Sequence, residues 1–368
     1  MRRWVSDESH IAHLENFVVL TMPMSRFEAV SRFYAQPHLP VSRKRPIAMH
    51  ALTYRVPENT MFDVAVHGPR MADAATSNAA FFSSSGINAL RRFNRVLCRA
   101  APSAAAVFAR RPIGTPPRHA PRKGELELAE RAQSSSVVVG RRTISVAAWG
   151  QGETVLLVHS WRGRGTQMSR FVEPPTHAGC RVVSFDLPAH GNAGTGETDM
   201  VECAAAVDAV ARAESGSGHP VTAIIAHSFG VMAALLASRE HGFNIPTLIS
   251  IGAFESCRWF IDAAKNHLAL SDEMAKRIRD NFEAKHGYRV TWDQLPVVEM
   301  LRAFRAKTLV IHDRFDREIP YEHSYALRSV GSPGQMIDYF RTVGLGHRRI
   351  LADAAVVARS VPCLSNCS

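Results

Sequence analysis

Residues Val221–Ala234 read Val-Thr-Ala-Ile-Ile-Ala-His-Ser-Phe-Gly-Val-Met-Ala-Ala. The β-branched apolar run ends in Ala226-His227-Ser228-Phe229-Gly230, and the small-residue segment that follows, through Leu236 and Ser238, reads as a helix. The stretch is therefore expected to be a strand, a sharp turn carrying a serine, and a helix. A nucleophile elbow needs this order, because the turn forces the serine into a strained conformation and lifts its hydroxyl clear of the sheet. Small flanking residues let strand and helix approach closely; Ala226 stands where the usual Gly-x-Ser-x-Gly pattern has its first glycine, and Gly230 keeps the second. A serine between small residues also opens many ordinary helices as an N-cap. The chain on either side decides between the two readings.

On both sides, apolar strands alternate with helices. Ser136–Val139, a Gly140-Arg141-Arg142 turn and Thr143–Trp149 read as a hairpin. Val155–Val158, Arg181–Phe185, Val221–Ala226, Thr247–Ile251, Thr308–Ile311 and Met336–Phe340 read as strands, with helices over Met200–Ala213 and Gly230–Glu240. This alternation argues for the α/β class, with a mostly parallel sheet covered by helices on both faces. Residues 136–253 supply the first part of that core and 301–360 the second, with 254–300 an insertion between them and 361–368 a tail.

The net charge of +11 is unevenly placed: residues 1–135 hold 19 Lys+Arg against 10 Asp+Glu, and the rest hold 25 against 23. The part that carries Ser228 is nearly neutral, so the overall charge says little about a substrate. The leading segment reads as a solvated basic extension, with contact to nucleic acid or an anionic membrane surface as the alternatives. No nucleic acid partner is expected, since the body lacks a basic face interleaved with aromatics. Residues 1–86, interrupted by Pro23, Pro37, Pro40 and Pro46, show no sustained period and are expected to be poorly ordered or a non-native extension, Met71 being one candidate start. Residues 87–135 read as a basic helix (Ile87–Ala109) and a proline-rich linker; such a helix packs on the body or makes peripheral membrane contact. No apolar run approaches a membrane span, and no signal peptide is expected. The six cysteines lack Cys-x-x-Cys pairing and read as reduced thiols, so a cytoplasmic location is expected.

Open parallel sheets place their sites at the carboxyl ends of strands, and four strand ends carry suggestive residues. His159-Ser160-Trp161-Arg162-Gly163-Arg164-Gly165 is a glycine-bearing turn that can present the Trp161 N–H to a developing oxyanion, with a second N–H from Phe229. It reads as well as a plain strand-to-helix loop. Asp186–Gly191, with its Pro188 and Gly191, reads as a structural turn. His312–Pro320 supplies Asp313 and Asp316, either of which could orient a histidine, and Gly344–Arg349 exposes His347 just before a last helix.

Over about residues 136–358, three fifths of the chain, this pattern resembles the α/β-hydrolase superfamily. The resemblance implies Ser228 as nucleophile, Asp316 (the second aspartate of its loop) as acid and His347 as base, with the backbone N–H groups of Trp161 and Phe229 forming the oxyanion hole. It also implies a helical cap over 254–300, whose Trp259 and Phe260 either bind an apolar acyl group or simply pack the cap onto the body. Ser160, where His-Gly is more common, and Ala226 are the departures. Serine rather than aspartate at the nucleophile position argues against a haloalkane dehalogenase or an epoxide hydrolase. The expected activity is cleavage of a carboxylic ester or thioester of a small or medium-sized apolar acyl group through an acyl-enzyme. An acyltransferase with the same triad, and a non-catalytic binding protein on the same scaffold, are the alternatives. Nothing in the sequence calls for a metal, nucleotide or flavin cofactor, and it leaves the oligomeric state open.

Overall fold

Strands that are apolar on both faces are stable only with both faces covered, and the computed structural model places the apolar runs in that setting. The structure describes residues 12–14, 17–19, 87–100 and 113–364, the last span apart from 244, 293–294, 305 and 332–334. The chain divides into two units, Met1–Val66 and His67–Ser368. In the first, β1 (Ala12–Leu14) pairs antiparallel with β2 (Phe17–Val19); the other expectations for residues 1–86 fall outside the described residues.

The second unit holds one sheet made of β3 (Gln133–Val139), β4 (Arg142–Trp149), β5 (Thr154–Val158), β6 (Arg181–Phe185), β7 (Val221–His227), β8 (Thr247–Ile251), β9 (Lys307–Asp313) and β10 (Ile337–Thr342). Their spatial order is β10-β9-β8-β7-β5-β6-β4-β3. The hairpin β3–β4 and the pair β4–β6 are antiparallel; the remaining pairings are parallel. The strand order reverses at β5, and Ser228 follows its neighbour β7, where an open sheet splays its loops apart.

The helices of this unit are α1 (Ile87–Ala100), α2 (Lys123–Glu130), α3 (Glu173–His177), α4 (Met200–Gly216), α5 (Phe229–His241), α6 (Cys257–Leu268), α7 (Asp272–Lys285), α8 (Val297–Phe304), α9 (Glu322–Arg328), α10 (Gly346–Arg349) and α11 (Ala354–Ser360), and both faces of the sheet are covered. One core layer joins Leu156, Val183 and Ile224 to α4, α5 and α8, and the other joins Leu157, Ile225 and Ile311 to Phe171, Leu351 and Val356. Helix α5 is buried from Phe229 to Ala237 on every side, which explains its lack of an apolar stripe: an all-round apolar helix belongs inside a core. Helix α1 packs Leu90 and Leu97 against Leu268, Leu270, Met274 and Ile278 of the 254–300 insertion, and the buried Asn94 side chain donates to the Leu268 carbonyl at 2.8 Å. Cys98, Cys203, Cys257 and Cys363 are free thiols, as expected, whereas Cys180 is disulfide-bonded, so the expectation of six reduced thiols is corrected there. No described helix is long and apolar enough to cross a membrane.

Strand β5 and helix α5 touch across Gly230. A Cβ on Gly230 would lie 2.3 Å from the Val158 carbonyl oxygen and 2.7 Å from that of His159. Both obstacles are backbone of a central strand, which cannot move alone. Gly230→Ala is therefore expected to cost about 3 kcal/mol, the upper end of overpacking penalties. A urea midpoint unchanged from wild type would contradict this close approach.

Candidate active site

Ser228 lies between the end of β7 and the start of α5 with φ +54° and ψ −118°. Such a conformation costs a non-glycine residue on the order of 1–3 kcal/mol and persists only where the surroundings impose it. Here the serine N–H donates to the Ile251 carbonyl of the next strand at 2.8 Å. Its side chain is buried, and the Oγ has no hydrogen-bond partner among the described residues. A buried hydroxyl without a partner is uncommon, and this one sits at a strained turn between strand and helix.

Asp313 ends β9 and Asp316 lies in the loop just after it, and the fold gives them different work. Asp316 accepts the Glu318 and Ile319 N–H groups on Oδ1, at 2.8 and 2.9 Å, and on Oδ2 the His347 Nδ1–H at 2.7 Å. Asp313 instead accepts from the Thr342 hydroxyl at 2.8 Å and the Leu345 N–H at 3.0 Å. It ties down the loop that presents His347 without touching the imidazole. Burial pushes the Asp316 carboxyl up, but the charge and hydrogen bond of His347 outweigh it and hold the group low. Burial lowers the proton affinity of His347, yet the adjacent Asp316 charge raises it above the ordinary histidine value. With Nδ1 engaged, the other ring nitrogen, Nε2, is buried and has no partner among the described residues.

Three further residues complete this surround, none of them singled out by sequence reasoning. Gly252, at the end of β8 with φ +58°, leaves room for the couple: a Cβ there would stand 3.3 Å from the His347 ring and 3.7 Å from Asp316 Oδ2. The His227 Nε2–H donates to the His347 carbonyl at 2.9 Å, with the two rings 4.6 Å apart. His312 Nε2 lies 3.6 Å from Asp316 Oδ2 and donates to the Ile319 carbonyl. Burial keeps both histidines neutral. Their signal was position: each sits at the carboxyl end of a central strand.

Trp161 follows β5 in a turn closed by the Gly163 N–H donating to the Ser160 carbonyl at 2.9 Å. Arg162 occupies the third place of that turn with φ +64°, a conformation glycine ordinarily takes. The ring of Trp161 packs edge-on to Phe229 (5.0 Å) and His190 (4.9 Å), which sets the 160s turn beside the start of α5. Neither the Trp161 nor the Phe229 N–H has an acceptor among the described residues, and the first N–H groups of a helix have no partner within it. Asp186 fastens the same region, accepting from Gly165 N and Asn192 N at 2.8 and 2.7 Å.

Two cavities meet at Trp161. The smaller, about 100 Å³, lies under the 254–300 segment against Phe229, Phe260, Ile261, Phe282 and Trp292. Asp199 and Lys285 close its rim, with the Lys285 ammonium 2.6 Å from the Asp199 carboxylate. Phe260 therefore lines a cavity next to Phe229. Trp259, one residue away, stacks on Phe254 at 5.9 Å and meets His323 edge-on; it packs the segment onto the body. The larger cavity, about 860 Å³, contains Ser160, Trp161, His227 and His347, and its remaining wall comes largely from residues 119–131 and 167–174.

A sequence model of the alpha/beta hydrolase family matches residues 155–359. No curated protein sequence matches the chain. Among solved structures, an esterase of Pyrococcus furiosus superposes with a TM-score of 0.52 at 15% identity, covering 69% of this chain and 97% of its own. A protein of Acinetobacter baumannii AYE assigned as a lipase gives 0.50 at 20% identity, covering 67% and 94%. At these identities the likeness is one of fold.

Proposed function

The chain belongs to the alpha/beta hydrolase family, and within it we propose a serine hydrolase that cleaves a carboxylic ester or thioester through an acyl-enzyme. The observation that carries this reading is the 2.7 Å bond from His347 Nδ1 to Asp316 Oδ2 in a buried setting. That bond fixes the tautomer that leaves Nε2 as the base, and the aspartate charge stabilises the imidazolium formed when Nε2 takes a proton. Serine is a weak nucleophile until such a base removes its proton during attack. Ser228 Oγ then adds to the carbonyl carbon while the N–H groups of Trp161 and Phe229 receive the developing oxyanion, each donor contributing a few kcal/mol in enzymes of this kind. Collapse of the adduct expels the alcohol or thiol with the proton held on His347, and water completes the cycle. The small apolar cavity beside Phe229 suits a short acyl chain.

Fluorophosphonate labelling tests the proposal, because phosphonylation needs an activated serine. One equivalent of label on Ser228 is expected, found by peptide mass spectrometry. The extent should fall as pH drops through the pKa of His347, which lies above the ordinary 6.5 for the reason given above. A folded protein that takes no label at any pH would end the proposal.

A further inference from the structure

The large cavity is cationic. Arg122, Arg131, Arg162, Arg170 and Arg348 line it, along with His119, against three acids. Those acids are engaged: Glu173 stands 3.5 Å from Arg131, Glu318 stands 2.8 Å from Arg348, and Glu125 accepts from the Thr166 hydroxyl at 3.0 Å. Arg122 and Arg170 make no ion pair among the described residues. Two of the five flank the reacting groups in sequence, Arg162 next to Trp161 and Arg348 next to His347. Partial burial, then the nearby Arg348 charge, weaken the hold of Arg162 on its proton, so these two cations crowd one another. Arg162 keeps this place at the expense of a left-handed backbone. A volume near 860 Å³ is ligand-sized, and guanidinium groups pair with phosphate and carboxylate through forked hydrogen bonds.

We propose that the substrate is an ester or thioester whose leaving group carries a phosphate or carboxylate, seated among Arg162, Arg348 and the outer arginines of this cavity. The assignment rests on the serine-hydrolase reading, and the placement of His347 sets the direction. The base that returns a proton to the departing oxygen or sulfur stands on the leaving-group side, and His347 lines the cationic cavity. The acyl side then faces Phe229 and the small apolar cavity. In the step itself, the Ser228 Oγ–carbon bond forms and the bond from carbon to the leaving oxygen or sulfur breaks. The serine proton passes through His347 Nε2 to the leaving group.

Three butyryl thioesters test this with the acyl group held constant: those of coenzyme A (phosphate), of 3-mercaptopropionate (carboxylate) and of N-acetylcysteamine (uncharged), the released thiol being read with a chromogenic disulfide. At low salt, kcat/KM for at least one anionic thioester should exceed that of the uncharged one at least tenfold, and which one identifies the anion. That ratio should drop at least fivefold in Arg162→Gln/Arg348→Gln. It should also drop in wild type at 0.5 M salt, where charge interactions are screened beyond about 4 Å, so the result does not depend on the variant folding. Equal turnover of charged and uncharged thioesters, dependent on Ser228, would overturn this inference and leave the serine-hydrolase reading standing. Turnover of none, or turnover that survives Ser228→Ala, would overturn both.

Discussion

Replacing Ser228 with alanine is expected to lower kcat/KM for ester turnover by about 10⁴- to 10⁶-fold, the range found when the nucleophile of a serine triad is removed. The fold should survive. The Oγ is buried without a partner among the described residues, so deleting it orphans no other group, and the cost comes chiefly when a bonding partner is left behind. Urea midpoints of the variant and wild type should agree closely. The histidine behaves differently. His347→Ala would strip a buried carboxylate of its partner at 2.7 Å, and leaving a charge uncompensated costs about 3–5 kcal/mol. Loss of activity in that variant would mix chemistry with unfolding, so Ser228→Ala is the cleaner measurement. A Ser228→Ala protein retaining more than a few per cent of wild-type turnover would refute the nucleophile assignment.

Acidification from pH 7.5 to 4.5 is expected to unfold the protein. Burial lowers the pKa of His159 to about 4, and those of His190 and His323 to about 3. Their neutral forms are fixed by hydrogen bonds: His159 Nδ1 donates to the Ser160 carbonyl while Nε2 accepts from the Leu187 N–H, and His190 Nδ1 donates to Pro188. In the unfolded chain each titrates near 6.5. Below that pH the unfolded state binds more protons than the folded one, so stability is complete above about 6.5 and is lost as pH falls towards the folded values. Each histidine costs up to about 1.4 kcal/mol per pH unit in that window. Two units below 6.5, the three together remove up to about 8 kcal/mol, comparable with the whole stability of an ordinary domain. His347, whose folded value is raised, works in the opposite sense, but it is one group against these three and against His227 and His312, which burial lowers as well. Urea denaturation followed at pH 7.5, 6.0 and 5.0 checks this: the midpoint should decline steeply. A flat profile would mean that these imidazoles are solvated.

The elbow was legible because each of its requirements is local. The run of β-branched residues to Ala226, the serine, the glycine two places on and the small residues of α5 are all consequences of one strand and one helix pressed together, and the structure places Gly230 against Val158 and His159 as that pressure demands. The order of serine, aspartate and histidine at strand ends was legible for a related reason: a parallel sheet sends all its carboxyl ends to one edge. Charge said less. The basic excess of residues 1–135 was read as a solvated extension; Arg122 and Arg131 are exposed, and the fold brings them to the rim of the cavity that holds His347.

What the sequence by itself determined, then, is the alternation of buried strands and helices, the turn at Ser228, and which aspartates and histidines fall at strand ends, because periodicity and turn chemistry depend on near neighbours along the chain. Only the tertiary structure decided that Asp316 meets the imidazole while Asp313 holds its loop, that Phe260 lines a cavity while the adjacent Trp259 packs on Phe254, and that arginines more than two hundred residues apart in sequence share one cavity. Neighbours on a helix point about 100° apart, and composition marks both as apolar. Which one faces a cavity, and which charges converge, depends on how whole elements dock, and docking is settled by the summed burial of many distant contacts rather than by any one stretch of chain.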